Sequence, residues 1–310
     1  MTNSFYSPMK TWVRSDCSRR AMPREAVAES KTADRLVNKK KIKIMVEPHH
    51  PIPDHHQQKP WWESFFDEVY GQDVLDRLDE EKTKAQVDFI FRELNLKPGQ
   101  SVFDQCCGRG RLSIPIATQG CHVTGVDCID TYISRASHKS RESQLACEFI
   151  CDDARQFVMP ELCDVVINWF TSFGYSADDA DNIKLLQRAY ESLKPGGMFA
   201  LDYVNMAYVI KNFQDRHVHI DGPDCSNSLV VIEESEVDCV AGMLKSHWNF
   251  FLPDGKRTRR LMKVKIYMPY EISSLLQNCG FEEIRLFGNV LSDPITLETP
   301  RCICVGRKPA

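Results

Sequence analysis

A short apolar strand that closes on an acid and runs straight into a glycine loop constrains this chain more than any other stretch. Residues 101–117 read SVFDQCCGRGRLSIPIA. Val102 and Phe103 suit a buried strand, Asp104 ends it, and residues 105–110 form a tight loop around Gly108 and Gly110. Leu112, Ile114, Ile116 and Ala117 then resume an apolar pattern that suits a helix. Glycines let the backbone approach a ligand, and a helix start offers unpaired N–H groups. Strand, loop and helix in this order predict a nucleotide-like ligand.

The flanking sequence alternates in the same way. Residues 61–70 place Trp61, Trp62, Phe65, Phe66, Val69 and Tyr70 at helical spacing, and 79–96 is amphipathic until Lys97-Pro98-Gly99 stops it. Further strands are expected at 121–126, ending on Asp127, and at 148–151, 163–170 and 198–203, with helices at 132–143 and 181–193. The nearly continuous apolar run at 163–170 fits a parallel strand covered on both faces. Strands alternating with helices predict an α/β, doubly wound parallel sheet. After Asn205 the rhythm changes. Longer strands at 229–240, 243–252 and 259–267, with a Pro253-Asp254-Gly255 turn, read as an antiparallel insertion. Trp248, Phe250 and Leu252 alternate with His247, Asn249 and Phe251, so one set faces the sheet. A helix at 270–278 and strands at 281–287 and 301–305 bring the main sheet to seven. The expected division is a mobile tail over 1–59 and a folded domain over 60–310, with the insertion at 215–267.

Residues 1–59 carry no burial pattern. They hold a basic run at 39–43 and a His/Pro-rich stretch, EPHHPIPDHHQQKP, at 47–60. His49, His50, His55 and His56 lack a cysteine or acid cluster at ligand spacing, so a solvated linker is preferred to a metal site. A net charge of −4 gives no general argument for nucleic acid or membrane. No apolar run reaches a membrane span, and no secretory signal is expected. The thirteen cysteines are scattered, and Cys121, Cys147 and Cys239 sit in apolar runs. They read as reduced, packed thiols of a cytoplasmic protein.

Five segments in order carry a family likeness: VFDQCCGRG (102–110), GVD (125–127), CDDA (151–154), DVVINWFTSFGY (164–175) and LKPGGMFALD (193–202). From about residue 61 onward the chain resembles the class I S-adenosylmethionine-dependent methyltransferases, and within them the small-molecule enzymes. The resemblance implies a Rossmann-like, seven-stranded, mainly parallel sheet with an antiparallel dome after strand 5. It implies S-adenosyl-L-methionine as methyl donor, released as S-adenosyl-L-homocysteine. Asp104, Cys106, Gly108 and Gly110 would form the loop beside the methionine part. Asp127 would accept from both ribose hydroxyls, as a carboxylate can. Asp153, with Ala154 beside it, would face the adenine amino group, and Asn168 and Phe170 would lie near the transferred methyl. Cys106 stands where the family has its first loop glycine; it reads as a small packed residue rather than as half of a strained Cys106–Cys107 redox pair.

The residues argue the same way without the family. A nicotinamide loop wants a third glycine where Ser113 stands, and Asp104 would crowd a pyrophosphate but suits a cationic sulfonium. The Walker pattern is absent. Asn168-Trp169-Phe170 is similar to the run of nucleic-acid amino methyltransferases only with both prolines missing, so a small-molecule acceptor and no nucleic-acid partner is expected. Displacement at a sulfonium needs alignment and exclusion of water more than a base. Candidates beside the acceptor are Tyr175, Tyr203 and His247. Two readings stay open: a methyltransferase acting on an amine, hydroxyl or activated carbon, and a non-catalytic S-adenosylmethionine-binding regulator or scaffold. No metal is expected.

Overall fold

The structure, a computed structural model, describes residues 60–73, 75, 79–221 and 229–310. The tail expected over 1–59 and its four histidines lie outside these residues. The single helix expected at 61–70 is two, α1 (Trp61–Phe65) and α2 (Glu68–Asp73). The break has a local cause. Asp67 accepts from the Tyr70 amide at 3.0 Å and so caps the second helix, which forces the chain out of helical geometry just before it. Helix α3 (Glu80–Glu93) starts on Asp79, whose carboxylate accepts from Glu81 N at 2.9 Å.

Strands β1 (Ser101–Gln105), β2 (His122–Asp127), β3 (Cys147–Cys151), β4 (Cys163–Asn168) and β5 (Leu193–Val204) pair in parallel. Helices α4 (Ser113–Thr118), α5 (Asp130–Glu142) and α6 (Asp179–Ser192) connect them. Both faces are covered, which explains the continuous apolar run of β4. Val166 packs into one cluster with Phe103 and Phe199, while Val165 and Ile167 pack into the other with Val102 and Ala200. Helix α7 (Met206–Lys211) leads into a separate antiparallel sheet in the order β6 (Arg216–Asp221), β7 (Leu229–Asp238), β8 (Met243–Phe251), β9 (Arg257–Lys265). Helix α8 (Pro269–Asn278) returns the chain to β10 (Glu282–Phe287) and β11 (Arg301–Arg307), and β11 lies antiparallel to both its neighbours. The main sheet has seven strands in the order β10-β11-β5-β4-β1-β2-β3.

Strand β6 has no counterpart in the sequence reading, and its alternation explains why. Val218 is 56% exposed and His219 only 9%, so the polar residue faces in and the apolar one faces out. Strand β4 is shorter than expected. It stops at Asn168, because Phe170 and Thr171 turn into left-handed backbone at φ 68° and 62°. Cys239, read as a packed thiol, is exposed. No helix among the described residues is long and apolar enough to cross a membrane.

The chain winds from β1 outward to β2 and β3 on one side, and to β4 and β5 on the other. Ligands of open α/β sheets bind at such a reversal, beyond the carboxyl ends of the strands. A large cavity lies there.

Candidate functional site

The cavity measures about 1020 Å³, room for a nucleoside-sized ligand and a second small molecule. Its floor is the glycine loop. Cys106, Gly108 and Gly110 all take left-handed φ, at 57°, 56° and 75°. A side chain on Gly110 would meet the Phe149 ring at 2.8 Å, so packing as well as backbone demands glycine there. Nothing lies within 4 Å of where a Gly108 side chain would sit, which leaves that backbone open to a ligand. Cys106 holds the same left-handed geometry with a small side chain, as its position in the loop requires. Burial pushes the Cys106 and Cys107 thiols well above their ordinary range, so both stay protonated.

Two carboxylates follow the strand ends. Asp104, one residue before the end of β1, is 3% exposed and accepts from Ser113 Oγ at 2.5 Å. Burial pushes its carboxyl up to about 7, and the Ser113 hydrogen bond offsets only part of that. Asp127 ends β2. Its Oδ2 accepts from Gly108 N at 2.9 Å and its Oδ1 from Ile129 N at 3.0 Å. Each oxygen keeps a second lone pair, and the residue lines the cavity. Burial raises its carboxyl above the usual range.

Beyond the end of β3 both Asp153 and Ala154 line the cavity, and the Asp153 carboxylate has a partner of its own. Arg155 holds it through Nε at 3.0 Å and Nη2 at 2.6 Å, and these bonds outweigh burial to keep the carboxyl below its ordinary range. The Arg155 guanidinium lies 5.0 Å from the Trp62 ring. A base arriving here meets a neutralised pair under an indole.

Asn168 ends β4, is 1% exposed and does not line the cavity; the wall beyond β4 is formed by the next four residues, Trp169 to Ser172. Phe170 does line the cavity. Its strained backbone is held by Asp202 at the end of β5. Asp202 Oδ2 accepts from Phe170 N at 3.0 Å, and the Asp202 carbonyl accepts from Thr171 N at 2.9 Å. Arg301 on β11 clamps the same carboxylate at 2.8 and 2.6 Å. Asp202 closes the LKPGGMFALD segment, but no spacing linked it to Phe170, 32 residues away.

Of the three acceptor-side candidates, the structure brings one to the cavity. Tyr175 lines it, with Trp62 and Phe66 each stacked at 28° to its ring, and Trp61 Nε1 donates to its carbonyl at 3.1 Å. Tyr203 is fully buried beneath the cavity, and its hydroxyl donates to the Lys265 carbonyl. His247 lies on the far face of β8; its neighbour Trp248, 1% exposed, faces the cavity with Met262 and Val264 of β9. The α1–α2 segment closes over this side. Asp67 pairs with Arg260 of β9, and its carbonyl accepts from the Tyr132 hydroxyl at 2.9 Å. Among the described residues no group of three or more His, Cys, Asp or Glu is placed to hold a metal.

Residues 102–197 match the family model of a methyltransferase domain. The chain is 26% identical over 192 residues to a putative methyltransferase, YqeM, of Bacillus subtilis (strain 168), spanning 61% of this chain and 76% of that protein. A solved S-adenosylmethionine-dependent methyltransferase from Clostridium acetobutylicum ATCC 824 superposes with a TM-score of 0.66 at 20% identity, over 80% of this chain and 99% of that one. The sugar N-methyltransferase KedS8 from Streptoalloteichus sp ATCC 53650 superposes with a TM-score of 0.60 at 16% identity, over 86% and 98%. These similarities fix the fold as class I.

Proposed function

We propose that this chain, which carries a methyltransferase domain of class I fold, moves a methyl group from S-adenosylmethionine to a small-molecule acceptor by direct displacement. The observation that carries the reading is the pairing of Asp127 with an open Gly108 at the strand reversal. The Gly108 amide fixes the carboxylate, and the remaining lone pairs face the space where two ribose hydroxyls would donate. The fit extends along the strand ends. The methionine part would lie over Cys106, Gly108 and Gly110, with the buried Asp104 carboxyl behind them. The adenine would rest near Ala154 and the Asp153–Arg155 pair.

The donor supplies an activated sulfonium methyl, and this chain's residues supply alignment and dryness. Phe170, held by Asp202, shapes the wall beside the methyl. Tyr175, Trp248 and the α1–α2 aromatics exclude water from the acceptor side and give it an apolar face. Of the tyrosines that line the cavity, Tyr175 is the one that would orient, or accept a proton from, an amine or hydroxyl acceptor. KedS8 is a sugar N-methyltransferase, and an acceptor of that size suits the space left beyond a nucleoside-sized donor. The reading is tested by incubating the protein and S-adenosylmethionine with a small-molecule extract and following new +CH2 masses. A +CH2 product that depends on active protein supports it; turnover absent across amine, hydroxyl and carbon acceptors, with the donor bound, favours a binding protein.

A further inference from the structure

The dome side of the cavity is a wall of rings. Trp62, Phe66 and Tyr70 of the α1–α2 segment, Tyr175, and Trp248 of β8 all line it, with Met262 of β9 beside them. A second layer braces these rings edge-on. Trp61 stands at 81° to Trp62 and 65° to Tyr175, and Phe65 at 77° to Phe66 and 79° to Trp248. Such contacts fix the ring planes before a ligand arrives. The Trp248 Nε1 is sealed from the cavity, so the indole presents carbon to it. Nearby polar groups are engaged or set back. Asp67 pairs with Arg260, Glu233 is the direct cross-strand partner of Trp248, and none of the three lines the cavity. Arg155, over the Trp62 ring, is paired with Asp153. Ser172 and Ser176, on the loop that carries Tyr175, donate to the Trp169 carbonyl and to Asp181. The Tyr70 hydroxyl differs from these. Tyr70 is 5% exposed, and among the described residues its hydroxyl takes part in no hydrogen bond. Burial, and after it the Glu233 charge, push the phenol above its ordinary range, so it stays protonated.

We infer that this wall binds a planar aromatic acceptor against its rings, and that the Tyr70 oxygen holds a hydrogen-bond-donating substituent of it, a hydroxyl or an amine. That this ligand is the methyl acceptor rests on the methyl-transfer reading above; that the wall binds it does not. A flat ring meets fixed faces and edges, the geometry aromatic pairs prefer. A polyhydroxylated ligand brings hydroxyls that would lie unpaired against carbon, at a cost for each. The Glu233 charge disfavours an anion on this side. The same charge favours a Tyr70 O–H turned toward it, which leaves the phenol lone pairs to a donor on the ligand.

The test is calorimetry on the full chain, alone and with S-adenosylhomocysteine added to saturation. The probes are 2-naphthol, its saturated counterpart decahydro-2-naphthol, 2-naphthoate and D-glucosamine. The wild type should bind 2-naphthol about tenfold or more tightly than each of the others. Trp248→Leu should bring the flat and saturated naphthols close to equal affinity. Tyr70→Phe should weaken 2-naphthol about two- to tenfold while the preference for the flat ring remains. The wild-type ranking decides the matter even if a variant fails to fold. No binding of 2-naphthol, equal affinity for the flat and saturated probes, or tighter binding of D-glucosamine or 2-naphthoate would overturn the inference and leave the donor reading intact. A wild type that shows the expected ranking but binds neither S-adenosylmethionine nor its homocysteine product would defeat the donor reading and leave the aromatic wall standing.

Discussion

The two sides of the cavity are built differently. Over β1, β2 and β3 the walls are strand ends and backbone. Asp104, Gly108 and Asp127 lie within one strand–loop–helix–strand unit, and the key contacts are amide to carboxylate. Over β4, β5 and the dome the walls are side chains drawn from the whole chain. Trp61 reaches Tyr175 across 114 positions, and Arg260 reaches Asp67 across 193. The first side is fixed by local geometry and polar; the second is aromatic and assembled by tertiary packing. Such a division lets one side hold an invariant ligand part while the other varies with the acceptor.

If that division is right, the largest single effect should come from the loop. Gly110→Ala combines a left-handed φ of 75° with a 2.8 Å clash against Phe149. It should cost about 2–4 kcal/mol of stability, read by denaturant unfolding, and abolish donor binding in whatever protein remains folded. Full stability in that variant would mean that the loop can be remade without glycine.

A subtler effect separates the two sides by charge. The Asp104 carboxyl titrates near 7, above its unfolded range, so it favours the folded state below about pH 4 and that contribution is lost as pH rises through about 7. A sulfonium or ammonium bound beside it favours the ionised form. Donor binding near pH 6.5 should therefore release up to about one proton, seen by calorimetry in buffers of different ionisation enthalpy. Asp104→Asn should remove the release, whereas Tyr175→Phe should not touch it.

The smallest effect is expected from Tyr175→Phe itself. The ring stacking on Trp62 and Phe66 survives the change, and only the hydroxyl is lost. Turnover should fall by about tenfold or less, with donor affinity unchanged. A change in donor affinity instead would place Tyr175 on the wrong side of the cavity.

The same contrast governs what the sequence reveals. The parallel sheet, an acid near the end of β1 and the acid ending β2 follow from strand periodicity and from glycine's backbone freedom, which are local; β1 itself runs one residue past Asp104, to Gln105. Asp153 and Arg155 stand two positions apart, but spacing alone does not say that they pair. Tyr203 and His247 were placed near the acceptor by strand position alone. Sheet pleat and the Lys265 carbonyl decide otherwise. The Asp202 clamp on Phe170 and the Asp67–Arg260 pair join residues far apart along the chain, which no local pattern encodes.

The central claim is that the polar side of the cavity holds the ribose of an adenosyl donor on Asp127. Calorimetric titration of S-adenosylhomocysteine into wild type and Asp127→Ala tests it most directly. The account predicts binding by the wild type and a loss of about 1–3 kcal/mol in the variant, with the unfolding transition retained. Equal affinity in the two proteins would contradict it.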